Sequence, residues 1–351
     1  MLQHSAPLAD LTSEITVSVI VLNWNGERLL SACLRSIREQ TLPGIETILV
    51  DNGSTDGSLA LVAAHFPEVR IIALRTNLGF SAGNNAGIRN ARGRYVALLN
   101  NDAQADPRWI EELVHALEQR PEVASCASKI LRQGENSIAD ACGDFYTSEG
   151  IPGKIGHLES ADRYNESREV FGACAGAALY RRALLDQLGG FDEDFFIVHE
   201  DNDLSFRFRL HGYRCVYVPT AVVYHLLSAS IGYLSDTAVY YAQRNMEFIF
   251  FKNMPTVLLL KYLPLHVVTN LLLFARYILH GQARVFLKAK LDALAMMPKM
   301  LSKRREIQGA SRVPAAEIDR LLLKGYLWGK LRQGLRGNSG KPPFRSPGNR
   351  A

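Results

Sequence analysis

The 351-residue sequence has few cysteines, and its five thiols are widely separated along the chain. None has the C-x-x-C spacing typical of zinc ligands, and the scattered positions do not suggest a disulfide framework. A recognisable export signal is also lacking, because the first basic residue is Arg28 and the apolar run 17–22 is too short and begins too late. These absences predict a reducing, cytoplasmic location.

Acidic residues are scarce in the last part of the chain, whereas they outnumber the basic residues in the first part. Residues 241–351 contain 20 Lys and Arg but only 5 Asp and Glu, a net charge of +15, whereas residues 1–240 contain 20 basic and 30 acidic side chains, a net charge of −10. The basic end predicts an anionic partner, either a membrane surface or a nucleic acid. Hydrophobic residues make up 47% of the chain, a globular composition that excludes a disordered bulk.

Strand and helix patterns alternate along the first part of the chain. Apolar runs at 16–22, 46–52, 69–74 and 95–101 each precede a helical pattern, with Pro107 in the first turn of the fourth helix. This alternation predicts an α/β fold with a mostly parallel, Rossmann-like sheet flanked by helices. Short strands are expected over 120–180, followed by a helix ending at Gly189-Gly190, a helix over 199–212 and a closing strand pair over 213–225.

From residue 236 the sequence is helical in pattern, apolar and basic. We therefore predict an N-terminal extension (1–15), a catalytic domain (16–235), a helical extension that contacts a membrane or packs on protein (236–335) and a disordered tail (336–351).

Polar clusters follow the four predicted strands, at the edge where open α/β sheets bind ligands. They are Asn23-Trp24-Asn25-Gly26, the run from Asp51 to Asp56, the run from Asn77 to Asn85, and the run from Asn100 to Asp106. Each cluster taken alone is also typical of turns and helix caps. Gly79 and Gly83 would let the backbone approach a ligand, and the helix beginning there would offer free N–H groups to a phosphate. Neither a dinucleotide fingerprint nor a Walker loop is present, which argues against a dehydrogenase or an ATPase.

Two groups of acids are candidates for chemistry. Asp102 follows a strand and is placed to bind a divalent cation that bridges two phosphates, although a helix cap is the alternative. Glu200, Asp201 and Asp203 open an amphipathic helix, where acids also occur simply as partners of the helix dipole.

The motifs VSVIVLNWNG, DNGSTDGS, NLGFSAGNNAGI, LLNNDAQADP, GGFDEDFFIVHEDNDLSFRFRLHG and VYH together resemble the family 2 glycosyltransferases. The resemblance covers about residues 16–230 and is greatest to bacterial rhamnosyltransferase-like and galactofuranosyltransferase-like members. It implies a GT-A fold and an inverting transfer of a rhamnose-like or similar hexose from a nucleoside diphosphate donor. The implied acceptor is a glycan or lipid-linked saccharide in bacterial surface polysaccharide synthesis.

The resemblance also implies roles for individual residues. Asp51 would hold the nucleobase and ribose, and the remaining residues expected near the nucleotide sugar are Asn23, Asn25, Asn77, Gly79, Gly83, Asn84 and Asn101. Asp102 and His225 would bind a divalent cation, Mn or Mg, and Asp201, beside Glu200, would act as the catalytic base. Asn100 stands where the family's D-x-D motif has its first acid, which weakens the expected metal site, and His199 would line the acceptor site or merely pack.

Two other functions remain open at the level of sequence. A nucleotidyltransferase shares the α/β sheet but needs a basic, glycine-rich signature after the first strand, and residues 22–30 contain none. A non-catalytic glycan-assembly or binding subunit is conceivable because of Asn100. No nucleic-acid partner is expected, because the basic end is rich in Leu and has no reader motif.

The most apolar segment is 248–279. Only 14 uncharged residues separate Lys261 from Arg276, fewer than the roughly 20 that span a bilayer, so a full span is not expected. Basic residues that include Lys303, Arg304 and Arg305 follow, which predicts helices lying peripherally on the anionic inner face of the cell membrane. The alternative is packing on the catalytic domain or on a second subunit of an oligomer.

Overall fold

An eleven-stranded sheet lies at the centre of the computed structural model, which describes residues 15–226, 235–326 and 329. In chain order the strands are β1 (Val17–Asn23), β2 (Ile45–Asp51), β3 (Arg70–Ala73), β4 (Tyr95–Leu99), β5 (Ala103–Ala105), β6 (Val123–Arg132), β7 (Glu135–Ala141), β8 (Asp144–Tyr146), β9 (Pro152–Lys154), β10 (Glu159–Ser160), β11 (Arg168–Val170), β12 (Ala177–Arg181) and β13 (Arg214–His225). Strands β8 and β9 pair with each other as a separate ribbon.

The sheet is parallel where the sequence alternates strand and helix. Strands β3, β2, β1 and β4 are parallel neighbours, and their register places Asn23 beside Asp51. Beyond β4 the sheet continues through antiparallel β12 to β6, which pairs with β7 and, in parallel, with β13. The predicted α/β architecture, mostly parallel in its first half and flanked by helices, is therefore present.

Helices cover both faces of this sheet. They are α1 (Glu27–Arg38), α2 (Ser58–His65), α3 (Gly79–Asn90), α4 (Trp109–Glu118), α5 (Arg182–Leu188), α6 (Glu200–Leu210), α7 (Asp236–Asn253), α8 (Thr256–Leu279), α9 (Ala283–Gly309) and α10 (Ala315–Leu321). Successive side chains of a strand point to opposite faces. Val19 and Val21 of β1 thus join one core with α1 and α4, whereas Ile20 joins the other with α3, α5 and α6.

Three predicted boundaries differ from the structure. The strand expected over 95–101 ends at Leu99, because the chain turns before it forms β5. The helix expected to open at Pro107 begins at Trp109. The pair expected over 213–225 is a single strand with a register shift between Val218 and Val222, next to Pro219, whose missing N–H cannot take part in a ladder.

The C-terminal helices pack on the sheet domain through a third core. Phe206 and Leu210 of α6 contact this core together with Phe248, Phe250 and Met300 from α7 and α9. The packing alternative therefore holds for these residues. The domain division itself stays a prediction. The predicted tail (336–351) and the predicted N-terminal extension (1–15), apart from its last residue, lie outside the described residues.

Buried ion pairs reinforce the same interface. The Lys252 ammonium is 0% exposed and lies between the carboxylates of Asp192 and Asp203, 2.7 Å from Asp203 Oδ1. Lys303 contacts Asp192 and Asp194, and Arg304 donates to the carbonyls of Phe251 and Met254. Because both side chains are engaged by the protein, the expectation that Lys303 and Arg304 face a membrane is wrong.

Helix α8 is longer than the uncharged stretch of the sequence suggested, because the helix continues through Pro264 and past both Lys261 and Arg276. Among the helices of the described residues, α8 is the one that is long and apolar enough to cross a membrane, by length and composition only. It is nevertheless attached to the protein, since His266 is buried, lies 2.9 Å from Glu247 and stacks on Phe250.

We expect the Lys252→Ala variant to lose about 3 kcal/mol of the free energy of unfolding, because it leaves two buried carboxylates short of a counter-charge. Lys288→Ala is the matched control, since Lys288 pairs with Asp292 in an exposed i,i+4 contact, and its cost should stay below about 0.5 kcal/mol. Chemical denaturation measures both values. Similar costs for the two variants would show that the buried pair does not anchor the helices.

Candidate active site

Side chains from the predicted polar clusters meet at the carboxyl edge of the parallel strands. Asn23 donates to Asp51 Oδ1 at 3.2 Å, and Asn101 donates to Asn23 Oδ1 at 2.8 Å. On the next strand connection, Asn52 donates to Asn77 Oδ1 at 3.0 Å. Parallel strands place their carboxyl ends at one edge, which is why clusters far apart in sequence are joined by hydrogen bonds here.

The start of α3 does not offer free N–H groups, contrary to the expectation from sequence. The N–H of Leu78 donates to Asn52 Oδ1, and that of Gly79 donates to Asn77 Oδ1, both at 2.9 Å. The next two N–H groups, of Phe80 and Ser81, donate to the carbonyl of Phe196 at 2.6 and 3.2 Å. A loop carbonyl therefore occupies the position expected for a phosphate.

The two glycines of this motif have different surroundings. Gly79 has a φ of +84°, and a Cβ there would lie 2.5 Å from the Phe196 carbonyl oxygen, so glycine is required. A Cβ on Gly83 would instead meet the Leu22 side chain at 2.4 Å, inside the helix–sheet packing. The expectation that Gly83 faces a phosphate is corrected accordingly. Asn84 is also internal and donates to the carbonyl of Phe80 within α3.

A cavity of about 770 Å³ opens beside this edge. The sequence-predicted residues that line it are Asn77, Gly79, Asn101, Asp102, Glu200, Asp201, His225 and His199. Asn23 and Asp51 are buried behind its wall, and Asn25 accepts a hydrogen bond from Thr55 in an exposed turn. Those three residues shape the loops around the cavity.

Asp102 and His225 form a pair of possible metal ligands. Asp102 Oδ1 lies 3.1 Å from His225 Nε2, although the two residues come from separate strand ends. His225 Nδ1 lies 3.0 Å from Asp140 Oδ2. A carboxylate on the far ring nitrogen fixes the orientation of a metal-binding histidine. Asp140 was missed from the sequence, because it lies in the segment 120–180 where no regular pattern could be recognised.

The groups around His225 shift the pKa values of His225 and of its partner Asp140. Burial alone would raise the pKa of Asp140, but hydrogen bonds from His157 and His225 and the charge of Lys154 hold it far below its usual value. Burial lowers the pKa of His225, yet hydrogen bonds to Asp102 and Asp140 outweigh this and raise it to about 9. His225 thus lies between two carboxylates, Asp102 and Asp140, whose negative charge would also suit a cation.

Asn100 supplies a neutral amide to this group, with its Nδ2 3.4 Å from His225 Nε2. Among the described residues no cluster of three His, Cys, Asp or Glu side chains is arranged to hold a metal. The donor set of Asp102 and His225 fits a divalent cation that takes its other ligands from a bound substrate or water.

Asp201 lines the same cavity from the first turn of α6. Its Oδ2 accepts the N–H of Ala175 at 3.1 Å, and its Oδ1 accepts the N–H of Asn202 at 2.8 Å. The preceding residue, Glu200, is buried, and its Oε2 has no hydrogen-bond partner in the described structure. The two adjacent acids therefore have different environments.

Two further carboxyls and one imidazole near Asp201 have shifted pKa values. Burial, and then the charge of Asp201, raise the pKa of Glu200 and of Asp144 well above their usual values. Burial lowers the pKa of His199 to about 4. Burial thus favours the neutral form of all three groups. Asp144 also lines the cavity and was not predicted from the sequence.

The chain is similar in sequence to known glycosyltransferases. Residues 18–189 match the family described as Glycosyl transferase family 2. The chain is 30% identical over 215 residues to the uncharacterized glycosyltransferase YwdF of Bacillus subtilis, covering 60% of this chain and 74% of the relative. It is 27% identical over 237 residues to an N-acetylglucosaminyl-diphospho-decaprenol L-rhamnosyltransferase of Mycobacterium tuberculosis, covering 61% and 77%. The chain spans only 25% of another relative, the uncharacterized protein y4gI of Sinorhizobium fredii, at 33% identity over 62% of this chain.

Solved structures show the fold. The mannosyltransferase PcManGT from Pyrobaculum calidifontis, in complex with GDP-Man and Mn2+, aligns with a TM-score of 0.52 at 19% identity, covering 85% of this chain and 86% of that one. S. aureus TarS 1-349, in complex with UDP, aligns with a TM-score of 0.51 at 18% identity, covering 91% and 92%. The expected GT-A fold is confirmed by these likenesses.

Proposed function

The chain belongs to glycosyl transferase family 2, and on that premise we propose that it transfers a rhamnose-like or similar hexose, with inversion, from a nucleoside diphosphate to a glycan or lipid-linked saccharide. The observation that carries this proposal is that Asp102, His225 and Asp201 all open into one cavity of about 770 Å³. Cavities of roughly 300–1,000 Å³ suit ligands of this size. Family membership argues against the nucleotidyltransferase alternative.

The substrate classes are supported by the relatives and structural neighbours. The mycobacterial relative is named for rhamnosyl transfer to a lipid-linked N-acetylglucosamine, and the two structural neighbours hold UDP or GDP-mannose. We infer a similar donor and acceptor for this chain, in bacterial surface polysaccharide synthesis. Asn77 and Asn101, which line the cavity, would then lie beside the nucleotide sugar, and the buried Asp51 would act through the loops that it shapes.

A divalent cation, Mn or Mg, would be held by Asp102 and His225, with Asp140 orienting the imidazole. When bound, such a cation neutralises the charge that develops on a leaving diphosphate. Lys154 carries an ammonium group that lines the same cavity, and it is paired with Asp140 at 3.1 Å.

The proposed chemistry is one in-line displacement. The carboxylate of Asp201 takes the proton of the acceptor hydroxyl, and that oxygen forms a bond to the anomeric carbon as the bond from this carbon to the diphosphate oxygen breaks. The nucleoside diphosphate leaves with the bonding electrons, and the anomeric configuration inverts. Glu200 is the less suitable base, because burial favours its protonated form.

We expect Asp201→Asn to lower turnover by roughly 10² to 10⁴ while donor affinity changes only a few-fold, because the amide cannot accept the acceptor proton. A thermal-shift screen of UDP-, GDP- and dTDP-hexoses with Mn2+ or Mg2+ identifies the donor, and N-acetylglucosaminyl-diphospho-decaprenol is the trial acceptor. Glu200→Gln, the isosteric change one residue earlier, should reduce turnover much less. The opposite order would move the base to Glu200, and no transfer by the wild type would favour the non-catalytic subunit.

We expect Asp102→Ala, His225→Ala and the double variant to lose similar activity, since the two residues would bind one ion. Asp140→Asn should weaken Mn2+ binding by about 10- to 100-fold, because it frees the His225 ring. Calorimetric titration with Mn2+ measures this effect, and Asp106→Asn, a half-buried acid outside the cavity, is the control. Full transfer in excess chelator would contradict the metal-assisted mechanism.

We also propose that α8 and α9 attach the protein peripherally to the inner face of the cell membrane. Large apolar side chains on these two helices are exposed to solvent, among them Val257 (70%), Leu260 (66%), Leu271 (63%), Leu279 (86%), Leu291 (64%) and Leu294 (64%). Exposed basic residues on the same helices are Lys261, Arg276, Arg284, Lys288 and Arg305. Apolar side chains flanked by basic ones suit the surface of an anionic leaflet, and a lipid-linked acceptor would be available there.

We expect binding to vesicles containing phosphatidylglycerol to weaken by at least about 100-fold when Arg276, Arg284 and Lys288 become Glu, since each basic residue near the surface contributes about 1 kcal/mol. Binding should also weaken as salt rises. A Leu271→Glu, Leu291→Glu double variant should lose binding, whereas Leu158→Glu, an exposed leucine (54%) on the sheet domain, should not. Co-sedimentation measures all of these, and a wild-type protein that ignores vesicles at low salt would refute the attachment.

A further inference from the structure

The loop that leads into the candidate base has an unusual backbone. Phe196, Val198 and His199 have φ angles of 64°, 70° and 70°, in the left-handed region that non-glycine residues rarely adopt. His199 immediately precedes α6, whose first two residues are Glu200 and Asp201. Such a conformation persists only when surrounding contacts hold it, so the contacts to this loop decide where Asp201 points.

Several of those contacts come from one side chain of α7. The Nδ2 amide of Asn245 donates to the carbonyls of Phe195, Ile197 and Val198 at 3.0, 2.8 and 2.7 Å. An amide has two N–H groups, so one of them is shared between two carbonyls. Asn245 is 0% exposed, and its Oδ1 accepts the Nε–H of Arg244 at 3.0 Å, which fixes the amide in this orientation.

Neighbouring residues of α7 support the same loop. Arg244 donates to the carbonyls of Asp194 and Phe195 at 2.8 and 2.9 Å. Tyr241, one turn before Asn245 and on the same side of the helix, stacks on the Phe196 ring with centroids 5.1 Å apart. The loop is thus held along one side by α7.

The other side of the loop contacts the donor half of the site. The Phe196 carbonyl accepts the N–H groups of Phe80 and Ser81 at the start of α3, next to Gly79. A displacement at Asn245 would therefore reach both the helix that carries Asp201 and the loop that ends at Gly79. None of the three residues Tyr241, Arg244 and Asn245 lies in the segment 18–189 that matches the family.

We propose that Asn245 is a positioning residue, which holds the loop 196–199 in its left-handed conformation and thereby aims Asp201 at the acceptor. The proposal rests on the proposed function, since it assigns a role relative to the candidate base. It also gives α7 a part in the transfer reaction that is separate from its packing. The acceptor side of the site is then completed by the C-terminal helices.

The test compares Asn245→Ala and Asn245→Asp with Asn253→Ala. Asn253 is an equally buried asparagine on α7 that donates to Asp203 Oδ1 at 2.7 Å and not to the loop. We expect both Asn245 variants to lower kcat by about 100-fold, because a misplacement of about 1 Å has that effect, with the donor KM changed less than about threefold. Asn245→Asp keeps the shape of the side chain but removes its donors, so retained activity in that variant would overturn the proposal.

Hydrogen exchange measured by mass spectrometry provides a readout that is independent of activity. Amides in 194–200 and 78–84 should exchange faster in the Asn245 variants than in Asn253→Ala, which should keep wild-type kcat even if its melting temperature falls. A normal kcat in Asn245→Ala, or unchanged exchange in both segments, would overturn the proposal. A wild-type protein without transfer activity would instead refute the proposed function, so the two failures are distinguishable.

Discussion

The buried ammonium of Lys252 is the contact on which the arrangement of the site depends. Removing this charge from water is costly, and it is compensated by the carboxylates of Asp192 and Asp203 and by the Phe195 ring, 4.7 Å away. Asp192 precedes the left-handed loop and Asp203 follows it in α6. One side chain from α7 therefore fixes both ends of the segment that carries Asp201.

Part of the uneven charge of the chain is used in contacts within the protein. Lys299 and Lys303 of α9 pair with Asp194, and Lys290 pairs with Glu247. The contacts of Lys299 and Lys303 place part of the positive charge of the C-terminal region against an acid of the sheet domain, whereas the pair of Lys290 and Glu247 lies within the C-terminal helices. Lys261, Arg276, Arg284, Lys288 and Arg305 stay exposed on α8 and α9, two of them in surface pairs, Lys261 with Asp319 and Lys288 with Asp292.

The two halves of the site meet at the carbonyl of Phe196. The positive end of the α3 dipole, which in many folds holds a phosphate, here holds this carbonyl oxygen. Asp102 and His225 line the same cavity and are the part of the site that we propose for the diphosphate of the donor. The loop 196–199 and helix α3 consequently depend on each other for their positions.

The sequence by itself determined the parallel strands, because β-branched runs between polar turns specify buried strands locally. It also predicted Asp102, Asp201 and His225 as site residues, since each lies in a recognisable motif, and the structure places all three on one cavity. Asp140 and Asp144 were missed because they lie in short, irregular strands without periodicity, and Gly83 was misread because spacing does not reveal which neighbour a helix faces. Lys252 and Asp192 are 60 residues apart in the chain. Only the tertiary structure could pair them, because local patterns describe a residue's own element and not the surface against which that element packs.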